Sequence, residues 1–404
     1  MTATETAPAT PHLDPSWHRE LLAELCSFDR ETGSDGERAA AAWLVERLRA
    51  EGVADVWLEE ERGHHTFWWP LGLTSVAGLI AGLRGIRGRS HAAAALGAAA
   101  AWAAADELPP RRRLLRSLLR QSTATNVVAT LGPADAPRTI VVLVHHDAAH
   151  AGLIFHPAIP DAIERYAPKL LELRDTSPPV MWPAVAAPAL AAAGALAGRR
   201  GVALAGAVLS AAVAAAFADI GFRKAVPGAN DNGSGVVALL ALARALAEAP
   251  PAAVRVLLVS TSEEALCEGM RAFGRRHFDE LPLADTFFLT LDTVGSPRPL
   301  VLRGEGMLGV RPYPSEALRL VDGITGELGI DLIPGVVLRA ATDGVYALAA
   351  GYQCATICSA DHRVLPTNYH WRTDVPENVD YGTLADAIRL AEATIRRLDE
   401  RWLG

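Results

Sequence analysis

Acidic and histidine side chains follow three apolar, strand-like runs, which cover residues 139–144, 254–260 and 286–291. Open α/β sheets place their ligand sites at the carboxyl ends of the strands. We therefore expect the side chains that follow these runs to share one site. They are His145 and Asp147 after the first run, Glu263 and Glu264 after the second, and Asp292 after the third.

These residue types suit metal and proton chemistry. His145 is a candidate metal ligand, with Asp147 as the carboxylate that fixes its tautomer. The adjacent carboxylates Glu263 and Glu264 are costly at a strand end unless a cation offsets them. Because neighbouring side chains at a turn point different ways, one can bind a metal while the other transfers a proton. Taken alone, His145 and Asp147 could instead be a core histidine with its hydrogen-bond partner. Glu263 and Glu264 could instead be a solvated acidic turn.

Two more candidates lie in loops. Asp231 stands in the glycine-rich turn 228–235, directly before the apolar run 236–249. The glycines allow a tight backbone that aims Asp231 into a cleft, and Ser234 is expected to cap the helix that follows. An ordinary Asx turn is the alternative. The other loop, residues 368–374, contains His370.

Composition excludes several classes of protein. The 404 residues carry a formal charge of -8, so no basic footprint for nucleic acid is present. The four cysteines are too few and too scattered for a disulfide framework. Cys354 and Cys358 are close enough in sequence to bridge, but buried strand thiols are the favoured interpretation. Residues 1–13 have the composition of a disordered tail.

Two nearly uncharged regions interrupt this chain, at residues 66–107 and 180–218. Each is expected to be an apolar helical hairpin, and most of their helices are about long enough to span a bilayer. The flank from Arg111 to Arg120 alternates arginines with leucines and is interpreted as a basic helix at a lipid interface. Alanine dominates all four apolar runs, which weakens the prediction of membrane insertion, and a soluble helical lid over the cleft is the alternative.

The ligand-bearing motifs resemble, in order, spacing and strand context, the dizinc metallopeptidase family of bacterial leucyl aminopeptidase and glutamate carboxypeptidase, which also includes glutaminyl cyclase. The resemblance covers the N-terminal helices and everything from about residue 126 onward, apart from the hairpins. The hairpins and the segment Cys267-Glu268-Gly269-Met270 depart from the family pattern. The matching motifs are His145-x-Asp147, Asn230 to Gly235, Glu263-Glu264, Asp292 with Val294-Gly295, and Tyr369-His370.

The resemblance implies an α/β fold with an open, mostly parallel sheet flanked by helices, into which the two hairpins are inserted. Its metallopeptidase domain comprises residues 14–65, 108–179 and 219–404. It also implies two Zn²⁺ ions bridged by Asp231. His145 and Asp292 complete one metal site, and Glu264 and His370 complete the other, while Glu263 is the general base that takes a proton from a metal-held water.

The expected activity is hydrolysis of peptides by a zinc exopeptidase, most simply an aminopeptidase. A single-zinc acyltransferase of the glutaminyl cyclase kind and a non-catalytic membrane protein on the same fold are the alternatives. If the hairpins insert, the protein is expected in the cell inner membrane, with its catalytic domain on the cytoplasmic side. If they form a lid instead, the protein is expected to be soluble in the cytoplasm. His150 and His156 are expected to line the pocket or to be structural, and the S1 pocket stays unassigned.

Overall fold

The computed structural model describes residues 11–64, 66–119, 121–171 and 175–403. Its strands form a seven-stranded sheet and a small three-stranded sheet. The larger sheet contains β1 (Asp55–Gly63), β2 (Ser122–Leu131), β3 (Arg138–His145), β4 (Val254–Thr261), β5 (Thr286–Leu291), β6 (Arg298–Val301) and β10 (Gln353–Ala360), and the smaller contains β7 (Gly304–Glu305), β8 (Arg311–Pro312) and β9 (Val337–Leu338).

The large sheet is parallel in its centre and antiparallel at its edges. The strand order is β1-β2-β4-β3-β5-β10-β6, in which β4, β3, β5 and β10 pair in parallel. The pairings of β1 with β2, β2 with β4, and β10 with β6 are antiparallel. The central strands are apolar along their length because helices cover both faces. The α/β prediction is confirmed, with a sheet that is mixed and has a parallel centre.

Helices cover the sheet in two layers. One layer packs α1, α2, α8, α10 and α12 into the larger core, and the other packs α9 and α11 against the opposite face. In α8 every residue from Ser234 to Ala243 is buried, so this helix lies at the centre of its layer. The ranges are α1 (Pro15–Leu25), α2 (Asp35–Ala50), α8 (Ser234–Glu248), α9 (Glu268–His277), α10 (Ser315–Leu328), α11 (Gly344–Ala350) and α12 (Tyr381–Leu403).

The other long helices pack against one another as a four-helix group, called here the apolar bundle. Most of the side chains inside it are small, apart from Trp68, Leu71, Phe217 and Ile220 near the sheet domain, whereas many of the other large apolar side chains point outward. Buried positions include Gly78, Gly82, Ala191, Gly194, Ala203 and Gly206, and exposed positions include Leu73, Leu83, Leu190, Leu204 and Val208. The bundle consists of α3 (Trp68–Gly85), α4 (His91–Glu107), α6 (Trp182–Ala197) and α7 (Arg200–Gly221).

Glycines bring the bundle backbones into direct contact. A Cβ atom built on Gly206 would lie 2.3 Å from the backbone nitrogen of Ala191, and one on Gly194 would lie 2.3 Å from that of Ala203. A larger side chain at either position would therefore separate α6 from α7. By length and composition, α7 is the one helix among the described residues that passes as a membrane span, and α6 is a shorter apolar helix.

Two local expectations are wrong. Residues 11–13 belong to the folded part, because they form a 3₁₀ turn in which His12 is buried against Glu392; residues 1–10 lie outside the described residues. The segment from Arg111 to Leu119 is irregular apart from the 3₁₀ turn Arg116–Leu118, and so is not a lipid-facing helix; Arg120 lies outside the described residues.

The segment from Arg111 to Leu119 does not face lipid because two of its arginines are buried in ion pairs. Arg116 Nε lies 2.8 Å from Glu107 Oε2, and Arg113 pairs with Glu268. These contacts fasten the end of α4 to the start of α9, and so join the bundle to the sheet domain. Cys354 and Cys358 are buried and free, as expected.

Candidate metal centre

The carboxyl ends of three parallel strands bring the predicted residues to one edge of the sheet. His145 is the last residue of β3, Glu263 and Glu264 follow β4, and Asp292 follows β5. Residue 144 pairs with 260 and residue 143 with 290, so the three strands end at the same level. Asp231 enters from the turn before α8.

Asp231 lies between two histidines. Its Oδ1 atom is 3.3 Å from His145 Nε2, and its Oδ2 atom is 3.1 Å from His370 Nε2. Each oxygen of one carboxylate therefore faces a different imidazole. This is the arrangement that a carboxylate bridging two metal ions requires.

The remaining candidates divide between these two positions. Glu264 Oε2 lies 3.4 Å from His370 Nε2, and Glu263 Oε2 lies 3.5 Å from His145 Nε2. Ligand atoms of His145, Glu263 and Asp292 all lie within 4.8 Å of one another, and so do those of His145, Asp231 and Glu264. Glu263 is thus close enough to His145 to be a metal ligand as well as a general base. The distances alone do not distinguish these two roles.

The electrostatics of the cluster favour a bound cation. Burial, together with the charge of Asp231, raises the pKa of Glu264 well above its usual range. Burial and the charge of Asp292 do the same to the pKa of Glu263, and burial raises the pKa of Asp292 to about 7. Crowded carboxylates stay ionised together only when positive charge lies between them.

The cluster fits zinc in donor type as well as in charge. Imidazole nitrogens and carboxylate oxygens form the mixed donor set that zinc accepts. The Oε1 atom of Glu264 is buried and has no hydrogen-bond partner among the described residues, which leaves it free to coordinate. The residues therefore fit bound zinc.

Asp147 holds both sides of the cluster in place. Its Oδ1 atom lies 3.1 Å from His145 Nδ1, which turns Nε2 of that ring toward Asp231. The same carboxylate accepts hydrogen bonds from the backbone N–H groups of Glu263 and Glu264, each at 2.9 Å. Asp147 thus orients the histidine and fixes the turn that carries both glutamates.

The turn that carries Asp231 is held by buried polar contacts. Asp374 accepts hydrogen bonds from the backbone N–H groups of Asn230 and Asp231, at 2.7 and 3.1 Å. The predicted cap by Ser234 is wrong, because the Ser234 hydroxyl donates to the Asn230 carbonyl at 2.6 Å. Asn232 takes the capping role, since its Oδ1 atom accepts from the Gly235 N–H.

Three buried carboxylates around the cluster were missed as site residues. Asp343 accepts a hydrogen bond from the Thr261 hydroxyl and adds to the negative charge around Glu263. Glu37 accepts from the Ser262 hydroxyl beside the two glutamates, and burial raises its pKa to about 8. Asp374 is likewise buried, with its pKa raised to about 8. Only the short spacing between His370 and Asp374 could have indicated one of them from sequence.

The two unassigned histidines have separate surroundings. His150 Nδ1 lies 3.0 Å from the Ile220 carbonyl oxygen, and its ring centre is 4.2 Å from that of Trp68. The ring of His156 lies 4.7 Å from that of Trp371, next to His370 in the chain. His150 therefore supports the bundle, and His156 lies near the wall of the cluster.

The sheet, its helices and this edge cluster define a zinc exopeptidase-like α/β protein. Residues 213–395 match the model of Peptidase family M28, and the resemblance predicted from the sequence is confirmed over that segment. A comparison with curated protein sequences finds no match.

Solved structures are similar to this chain in fold at low sequence identity. A Zn-dependent exopeptidase from Parabacteroides distasonis ATCC 8503 aligns with a TM-score of 0.56 and 14% identity, over 96% of this chain and 99% of that one. A leucine aminopeptidase precursor from Bacteroides thetaiotaomicron VPI-5482 gives the same values. The glutaminyl cyclase of Bacteroides thetaiotaomicron aligns with a TM-score of 0.57 and 13% identity, over 95% and 98% of the two chains.

Proposed function

We propose that this chain is a dizinc aminopeptidase that hydrolyses peptide bonds with Glu263 as its general base. The observation that carries the proposal is the position of Asp231, whose two oxygens face His145 and His370 separately. Asp231 would be shared by the two ions, His145 and Asp292 would hold one of them, and Glu264 and His370 would hold the other. When bound, zinc supplies Lewis acidity and makes water easier to deprotonate at neutral pH.

Glu263 performs the proton transfers. Its side chain is 12% exposed, so the carboxylate reaches the cleft while its backbone is fixed by Asp147. The carboxylate accepts a proton from the attacking water and then donates it to the leaving amine. Without a metal ion, burial and the charge of Asp292 raise the pKa of Glu263 well above its usual range.

A glutaminyl cyclase-like acyltransferase is the second candidate, since glutaminyl cyclases share the fold. Relatives of that kind are expected to work with one metal. Here both sides of Asp231 keep a histidine, and Asp292 lies beside His145. That pairing favours two ions and therefore hydrolysis.

A panel of small substrates tests the activity. We expect purified protein to hydrolyse aminoacyl anilides and free-amine dipeptides, and to leave N-acetylated peptides with a free carboxyl terminus intact. The reverse preference would assign the protein as a carboxypeptidase. Cyclisation of N-terminal glutamine, with no hydrolysis of other aminoacyl substrates, would overturn the aminopeptidase proposal.

We also propose that the apolar bundle inserts into a membrane. A water-soluble bundle buries its large apolar side chains. Away from the sheet domain, this bundle instead buries mostly glycine and alanine, which lets backbones approach as they do in lipid. Its exposed surface includes Leu73 at 54%, Leu83 at 52% and Val208 at 62%. An outward apolar surface of that kind marks a contact with lipid or with another protein.

Fractionation tests the membrane proposal. We expect the full chain to stay in the membrane pellet through a high-salt wash and an alkaline wash, and to need detergent for release, because its outward leucines and valines gain from contact with lipid. Quantitative recovery as a monodisperse species without detergent would contradict insertion. That result would leave the bundle as a soluble lid over the cleft.

A further inference from the structure

We propose that the bundle holds the mouth of the active site at the lipid surface, and that the substrates are peptides whose amino termini lie close to that surface. This inference rests on the proposed peptidase function and on insertion of the bundle. It adds a substrate class that follows from where the cleft lies.

One wall of the metal cluster, formed by residues 152–155, contacts the apolar bundle. Phe155 packs edge-on against His370, with ring centres 4.6 Å apart. Two residues earlier, the Leu153 backbone N–H donates to Asp219 Oδ2 in the last turn of α7, at 2.6 Å. A Cβ atom on Gly152 would lie 2.8 Å from the side chain of Ile220 in the same turn, so this wall packs closely against the bundle. The position of α7 therefore fixes the position of the cleft.

A second connection runs through the other side of the cluster. His150, five residues after His145, contacts both the Ile220 carbonyl and the Trp68 ring. The backbone of residues 149–151 also bonds to that of residues 224–226, directly after α7. Asp231 follows only ten residues beyond the end of α7. The metal cluster is thus attached to the bundle from both sides.

Exposed aromatic side chains mark the sheet-domain end of the bundle. Trp69 stands in the first turn of α3, Trp182 begins α6, Phe222 follows α7, and Trp102 lies near the end of α4. Their exposed fractions are 41%, 43%, 80% and 60%. Aromatic residues gather where a membrane meets water. We therefore place the lipid–water interface at this end of the bundle.

The other end of the bundle suits the opposite interface. It carries Arg84, Arg87, Arg89, Arg199 and Arg200, and residues 66–105 and 176–218 contain no acidic residue. Charged side chains at helix ends reach the headgroups while the apolar wall between them contacts acyl chains. With 22 residues, α7 is about 33 Å long, which matches the thickness of a bilayer's hydrocarbon core. Lipid therefore fits this surface better than a protein partner, which would need polar contacts at its rim.

The rim of the cleft lies at the level of the aromatic end. Leu153 is 53% exposed and Ile154 is 46% exposed, and both directly precede Phe155, which packs on His370. These two exposed apolar side chains therefore lie beside the cluster, at the end of the bundle where we place the lipid surface. A peptide held at the membrane surface is expected to contact this rim as it enters the cleft. A peptide in bulk water is not expected to bind more tightly because of it.

Peptides with lipid-anchored carboxyl ends and free amino termini measure the distance from cleft to lipid. The full chain is reconstituted into phosphatidylcholine vesicles and offered the same amino-terminal sequence on a spacer of about 5 residues, roughly 17 Å when extended, or about 25 residues. We expect the two anchored peptides to be cleaved at rates within about threefold, after normalisation to an unanchored peptide. Cleavage of the long-spacer peptide alone would place the cleft away from the lipid and overturn the inference. Cleavage of none of the three would overturn the proposed function itself.

A rim variant separates surface contact from simple tethering. We expect Ile154→Asp to lower kcat/KM for the short-spacer peptide about tenfold, because a charge replaces a half-exposed apolar side chain at the interface. The rate for the short-spacer peptide is divided by the rate of the same variant on the unanchored peptide, so that a general loss of activity at the cleft cancels. Leu283→Asp is the matched control, since Leu283 is 51% exposed and lies before β5, at the opposite edge of the sheet. Equal rates for Ile154→Asp and Leu283→Asp on the short-spacer peptide would contradict the rim contact.

Discussion

Glu263→Gln is expected to keep its zinc and to lose between about a hundredfold and ten-thousandfold in kcat on a good aminoacyl substrate. The amide has nearly the same shape as the carboxylate but cannot accept a proton from water. Because the Glu263 backbone is held by Asp147, the substitution should leave the turn in place. The measurement is steady-state kinetics combined with elemental analysis of the same preparation.

The neighbouring glutamate provides the matched control. Glu264 is proposed as a ligand, so Glu264→Gln should lose metal as well as activity, and added zinc should restore part of the activity. Glu263 lies within ligand distance of His145 and Asp292, so retained zinc in Glu263→Gln is the result that separates a base from a ligand. Near-normal kcat in Glu263→Gln would assign the base role to another residue.

Asp231→Asn is expected to disturb both metal positions and to lower activity by more than about 100-fold, since loss of residues that merely support ligands already costs 10- to 100-fold. The amide nitrogen that replaces one oxygen cannot coordinate, so the bridge between the His145 and His370 sides is lost. The zinc content of Asp231→Asn should fall below that of a variant that loses a ligand of only one of the two metal positions.

Asp331→Asn controls for the change in charge. Asp331 is exposed and pairs with Arg298 at the surface, so zinc content and kcat should be unchanged. A comparison of Asp231→Asn with His370→Ala then separates the bridge from a single site. Equal zinc loss in the two variants would show that Asp231 serves one ion.

The sheet and the edge cluster were predictable because both depend on local pattern. Strands buried on both faces form continuous apolar runs, and a polar residue that ends such a run lies at the sheet edge. That pattern located His145, the Glu263-Glu264 pair and Asp292. Glu37 and Asp343 lack it, since Glu37 lies in the first turn of α2 and Asp343 directly precedes α11.

The errors came from contacts between distant parts of the chain. Arginines alternating with leucines near residue 113 indicate a lipid-facing helix, but Arg113 pairs with Glu268, which lies 155 residues away. Sequence spacing carries no record of such a pair. Ser234 has the residue type of a cap, yet its hydroxyl bonds to Asn230 and accepts from the Val294 N–H instead.

Zinc titration of the metal-free protein tests the central claim most directly. Hydrolysis of an aminoacyl anilide is followed as zinc is added in small steps to chelator-treated, full-length protein of known concentration. We predict activity that rises with added zinc and reaches its maximum at about two ions per chain, since the donor set around Asp231 provides for two. A maximum at one ion, or no hydrolysis at any zinc loading, would contradict the account.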